Sequence, residues 1–293
     1  MSPEGRPDLR RRARDQAFAD LSSWRKVGVQ GADALAWLGD LVSADIADLS
    51  PGRSRRSLLL SPTGRVRAEF TVAALAEGYL LLQDPLQPHD LDDVLEPYVL
   101  SSAVTLEDRT NGLALISIPD QALAHVSGTN GLRTSSPSCI GAGIDLLAPA
   151  DGHDALVSTL SRHLRPAASA DVESWRISAA ISRFGVDATS DDLPQEGGLE
   201  GAVAFDKGCY LGQEAVARAR NLGHPRRLLL ALQAGGPVAA GEPVLIGGLE
   251  AGRVTSASTA EGSTLVLARV SWPARQGPFR TASGMELRPR QPF

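Results

Sequence analysis

The chain has 293 residues, 43% hydrophobic and 22% charged, with a net charge of −5, the profile of a folded protein with room for two or three domains rather than of a long disordered one. The acidic balance and scattered arginines argue against a dedicated nucleic-acid surface, and no apolar run approaches the ~18 residues of a membrane span. Two cysteines, Cys139 and Cys209, give neither a disulfide framework nor a metal-site spacing, which excludes a four-thiolate iron–sulfur cluster within one chain.

The opening MSPEGRPDLRRRARDQAFAD is rich in arginine, yet Glu4, Asp8, Asp15 and Asp20 are foreign to a transit peptide and no apolar signal core follows. It reads as a flexible or loosely docked N-terminus of a cytoplasmic protein. Val27 and Val29 then alternate as in a short strand, Gly31 turns the chain, and Leu35, Leu38, Leu41 and Val42 with Trp37 make a helical stripe closed by Ser50–Gly52. SRRSLLLSPTGRVRAEFTVAAL reads as two strands joined at Ser61–Gly64. GYLLLQD is a third strand, and HDLDDVLEPYVL a helix whose last turn Pro97 disturbs. AVTLEDRT and NGLALISIP are strand-like. DGHDALVSTLSRHLRP is an amphipathic helix closed by Pro166, and VESWRISAAISRFGVD a further helix. After Pro225 the chain turns into short β runs punctuated by Gly and Pro, the pattern of a small antiparallel barrel or sandwich. The expected domains are therefore 1–225 and 226–293.

AFDKGCYLGQEAVARAR, residues 204–220, stands apart. The chain has only two lysines and two cysteines, and Lys207 and Cys209 flank one glycine here. From Gln213 the residues favour helix, with Glu214 in the first turn and Arg218 at i+4 as an ion-pair partner. Cys209 would then lie just before a helix N-terminus and beside an ammonium, two influences that lower a thiol's pKa and raise its reactivity. Gly208 would allow a tight turn or a close ligand approach. The competing reading is a buried cysteine, a solvated lysine and a surface ion pair. The five histidines are dispersed without ligand spacing: His153 and His163 belong on a solvated helix face, and His224 is a weak neighbour of the loop.

KGCYLGQE closely resembles the K-G-C-F/Y-x-G-Q-E signature of the YgfZ family, folate-binding proteins related to the aminomethyltransferase (T-protein) of the glycine cleavage system that support iron–sulfur enzymes. VGVQGADALAWL, DLSPG, SPTGRV, LEPYVLSSAVTLED, GEPV and GRVTS extend the likeness over most of the chain. The resemblance implies an α+β fold: a three-lobed ring of the T-protein type, with two α/β lobes and a C-terminal antiparallel β-barrel around a central channel. It implies tetrahydrofolate or a one-carbon derivative as cofactor, and iron–sulfur client or assembly proteins as partners, with no membrane and no direct nucleic-acid partner. Cys209 and Lys207 would be catalytic. Tyr210, Gln213, Glu214, Arg218, Trp175, Arg176, Ser178, Phe184 and Asp187 would bind the cofactor. Two departures stand out. Arg67 and Ala68 occupy the positions of the T-protein aspartate pair, with Glu69 on the opposite strand face, which argues against aminomethyl transfer. Ser178 replaces the family's pterin-reading glutamate in WRISAAISRFGVD, so it offers a hydrogen bond and no charge-assisted clamp. A folate-dependent one-carbon transferase and a non-catalytic scaffold are the alternatives.

Overall fold

The structure, a computed structural model, describes residues 14–100, 102–126, 132–141, 143–260 and 262–291. The first thirteen residues of the arginine-rich opening lie outside it. The end of that stretch is not loose: Ala17–Asp20 forms a strand, β1, whose first three side chains are buried.

The chain divides into two compact units, one made of residues 1–38, 46–56 and 70–175, the other of 39–45, 57–69 and 176–293. The expected boundary near 225 marks a different feature, the start of the barrel at Arg227.

The first unit contains a five-stranded sheet with the order β10-β1-β7-β9-β8, formed by Arg165–Pro166, β1, Leu113–Ile118, Ile144–Pro149 and Arg133–Ser135. LALISI in β7 and IDLLAP in β9 are nearly continuous apolar runs, because both faces are covered. Strand period two splits them. Ile116, Ile118 and Leu146 pack with Phe18 against Leu156 and Leu160 of helix α3, His153–Leu160. Leu115 and Leu147 join Ala17, Ala19 and Leu21 on the other face, with Ala73, Leu80, Leu82 and Trp175. A second sheet, β3-β4-β5-β2-β6, comprises Ser54–Leu60, Val66–Ala74, Tyr79–Gln83, Arg25–Gln30 and Thr105–Asp108. The Ser61–Gly64 turn falls where expected, with the Gly64 amide donating to the Ser61 carbonyl. Helix α1, Ala34–Leu41, follows β2, although Leu35 of its expected stripe is exposed. Helix α2 is short, Leu91–Leu95, and gives way at Pro97 to a 3-10 turn.

Two helices end earlier than the sequence suggests. α3 stops at Leu160, and α4, Ser169–Ser178, stops where Ala180 adopts a φ of 54°. The left-handed residue breaks the helical repeat, so SRFGVD is loop rather than helix.

In the second unit the barrel closes through β11-β14-β13-β12-β15-β16, formed by Arg227–Ala234, Ser263–Ser271, Leu249–Ala260, Pro243–Ile246, Phe279–Thr281 and Glu286–Pro289. Every pairing is antiparallel. Its interior holds Leu232, Ala234, Val244, Val254, Val266, Ala268, Val270, Phe279 and Leu287. Among the described residues no helix is long and apolar enough to cross a membrane.

Candidate functional site: a cysteine loop pinned to a helix end

Helix α1 ends without a basic residue in its last turn, so its final carbonyls need donors from elsewhere in the chain. The segment 204–211 supplies them. Lys207 Nζ donates to the carbonyls of Gly39 at 2.8 Å, Val42 at 2.7 Å and Ala44 at 2.9 Å. On either side of it the Ala204 amide donates to the Ser43 carbonyl, and the Leu211 amide to that of Asp40, both at 2.9 Å. The lysine thus places a cation at the negative end of the helix, bonding one of its terminal carbonyls, Gly39, and two in the segment just after it, Val42 and Ala44. Burial holds the ammonium below the ordinary lysine pKa, against Asp45 and Asp40, whose charges raise it.

Cys209 stands between these attachments, exposed and free. Tyr210 turns the other way, into a core of Leu58, Leu60, Val66, Phe184, Ala188, Leu199, Ala202 and Val216. Its ring lies 5.0 Å from the Lys207 ammonium, and its buried hydroxyl has no hydrogen-bond partner among the described residues. The loop then reaches Gly212, with φ of 82°, and enters helix α5, Gln213–Leu222. A Cβ at Gly212 would stand 2.4 Å from the Ser61 carbonyl oxygen. Glycine is needed there for both conformation and space. Gly208, expected to make the close approach, has open space around its Cα and does not fill that role.

The other residues predicted for the site fall into three groups. Gln213 is half-buried and braces the loop, its amide reaching the Lys207 carbonyl at 3.5 Å. Glu214 and Arg218 form an exposed i,i+4 ion pair at 2.7 Å, the geometry of a surface pair of small energetic weight. The remaining five are deeply buried. Asp187, fully buried, accepts from Arg176 and from the hydroxyls of Ser256 and Thr255 on β13, and Arg176 Nη2 donates to Ser256 at 2.7 Å. Phe184 belongs to the core beneath Tyr210, and Trp175 to the core of the first unit. Ser178, the last residue of α4, gives its carbonyl to Arg290. Burial and mutual bonding thus commit Arg176 and Asp187 to joining α4 to the barrel.

Where the resemblance led one to expect a carboxylate pair, Arg67 is exposed and Ala68 buried. The neighbouring Glu69 carboxylate accepts the Phe184 amide at 2.8 Å. His153 is an ion-pair partner of Asp20 and Asp154 rather than a freely solvated side chain. His163 stacks on His125, and His224 on Trp272. Sequence reasoning missed the acceptor half of the site, the α1 terminus. Its signal is a helix end with neither a basic residue nor a glycine cap.

Residues 9–119 match the family model described as the GCVT N-terminal domain. The fold is similar to that of glycine cleavage system aminomethyltransferase T from Bartonella henselae, with a TM-score of 0.82 at 21% identity, covering 99% of this chain and 90% of that one. The class is that of the aminomethyltransferase fold. Among curated proteins, an aminomethyltransferase of Streptomyces avermitilis is 26% identical over 305 aligned positions, covering 92% of this chain and 82% of that protein. The tRNA-modifying protein YgfZ of Photobacterium profundum is 26% identical over 227 positions, covering 73% and 68%. Within that class the chain is similar both to aminomethyltransferases and to the YgfZ protein.

Proposed function

We propose that this chain is a cytoplasmic, reduced-folate-binding protein that supports the assembly, repair or maintenance of iron–sulfur proteins, with the Cys209 thiol as its reactive group. One observation carries the reading: the exposed thiol sits on a loop fastened on both sides and at its centre to the end of α1. A loop held this way presents its sulfur without paying ordering entropy when a partner arrives. Both cysteines are free, as a reducing compartment requires.

Arg176 and Asp187 are consumed by the fold, and Ser178 carries no charge. The buried, unpartnered Tyr210 hydroxyl is the polar atom that a ligand group would satisfy. Tyr210 and Gln213 would hold the ligand, and Lys207 would keep the loop in place. A reduced folate, when bound, supplies a one-carbon carrier. Glu69 is engaged by a backbone amide and Ala68 has no titratable group, so the T-protein reaction, which needs a carboxylate here, is not part of the reading.

Calorimetric titration with tetrahydrofolate tests it. Saturable binding is expected, weakened several-fold in Tyr210→Phe, which removes only the hydroxyl. Tighter binding in Ser178→Glu would restore the family's clamp. No binding by the parent would overturn the folate assignment.

A further inference from the structure

Strand register sorts the barrel's side chains. Leu230, Val254, Ala268 and Val270 belong to the barrel's interior cluster. Arg227, Leu229, Arg253, Arg269 and Ser271 alternate with them and face outward. Along part of this outer face the side chains are apolar and covered: Leu229, Ala231, Leu265 and Leu267 pack with Ile177 and Ala180. Elsewhere it is basic and open. A groove of about 620 Å³ is lined there by Arg226, Arg227, Arg253, Arg269 and Ser271, among others.

Four arginines around one groove in a chain of net charge −5 need a physical reason. Arg253 and Arg269 are direct cross-strand partners, an arrangement of like charges that costs stability. Burial lowers the pKa of Arg269, Asp192 opposes that, and the charge of Arg227 lowers it further. Carboxylates fix three of the guanidinium groups from beneath or beside: Asp192 holds Arg269, Glu196 holds Arg226 and Glu250 holds Arg253. Asp192 and Glu196 are almost wholly buried, so they orient the guanidinium forks without offering a negative surface to the groove. Arg227 has no ion-pair or hydrogen-bond partner among the described residues, and Arg269 Nε is buried without one. Arg227 therefore lines the groove with its donors uncommitted, beside three guanidinium groups that carboxylates hold in place.

We propose that this groove is an oxyanion site for a phosphate group, with Arg227 as its uncommitted anchor and Arg253 and Arg269 as supporting donors. Guanidinium forks match phosphate oxygens two at a time. An incoming phosphate would also relieve the cross-strand repulsion. The phosphate could belong to a small phosphorylated molecule or to the backbone of an RNA strand. The site is independent of the folate reading.

The test measures inorganic phosphate by 31P NMR line broadening, and a labelled single-stranded RNA 12-mer by fluorescence anisotropy at low salt. Arg227→Ala is the informative variant, since Arg227 has no partner to orphan and its loss should leave the melting temperature unchanged. Binding weakened roughly tenfold in Arg227→Ala, as expected for one charge-assisted contact, supports the site. RNA binding far tighter than phosphate, with steep salt dependence, assigns it to a nucleic-acid backbone; comparable affinities assign it to a small phosphorylated ligand. Absence of both up to about 10 mM, or Arg227→Ala binding as well as the parent, overturns the proposal.

Discussion

Lys207 and Lys26 are the only lysines in a chain that otherwise uses arginine, and both spend their ammonium groups on backbone carbonyls. Lys207 reaches three of them. Lys26, fully buried, donates to Ser22 at 2.8 Å and Trp24 at 2.7 Å. A compact –NH3+ with three rotatable donors can converge on carbonyls that a planar guanidinium fork cannot reach together. That geometry accounts for lysine at these two places. Lys207→Ala should therefore cost about 2 kcal/mol, the loss of charged hydrogen bonds at a half-buried site, and lower the melting temperature by roughly 5 °C. Lys207→Arg should not restore it. Recovery by arginine would show that charge alone matters.

Lys26 makes a prediction about pH. Burial lowers its pKa to about 8, against the charges of Asp108, Asp20 and Cys139, whereas in the unfolded chain it titrates near the ordinary value of about 10.4. Between those values the unfolded state binds more protons than the folded one, so the Lys26 contribution raises stability as pH increases. Urea unfolding at pH 8 and pH 10 should show this rise in the parent and a smaller one in Lys26→Met. Equal slopes would mean that Lys26 is not desolvated as the structure has it.

At the scale of elements, the join between α4 and β13 carries the largest expected mutational cost. Asp187 is completely buried and accepts from Arg176, Ser256 and Thr255. Asp187→Asn would leave the Arg176 guanidinium buried beside a neutral partner, and truncating one member of such a pair costs about 3–5 kcal/mol. Chemical denaturation measures it. A cost below about 1 kcal/mol would mean that water reaches the pair. Much of this level was legible in the sequence. The β3–β4 turn, the weakness at Pro97 and the barrel after Pro225 followed from Gly, Pro and period-two patterns, which are local. The stop of α4 was not, because nothing in SAAIS marks Ala180 as left-handed. Nor was β10, a two-residue strand pairing in parallel with β1 across more than a hundred residues; contacts of that range leave no local signature. The same limit explains the site. Lys207 and Cys209 stood out by rarity, while the carbonyls at and just beyond the end of α1 that bind Lys207 belong to the backbone and have no side-chain signal. Arg176 and Asp187 matched a family pattern, and patterns do not separate residues that bind a ligand from those that hold the fold.

At the scale of the whole molecule, an aminomethyltransferase-like fold has kept its architecture while the carboxylate position reads Arg67–Ala68 and the signature loop presents a thiol. The loop exposes the sulfur along with the Asp206 carboxylate, and the account rests on the sulfur being the working group. Complementation decides this most directly: an iron–sulfur enzyme is assayed in cells lacking this protein and supplied with the parent or with Cys209→Ser. Because Cys209 is exposed, the variant should melt within about 1 °C of the parent. The account predicts that Cys209→Ser, present at parental levels, fails to restore the enzyme; restoration equal to the parent would contradict it.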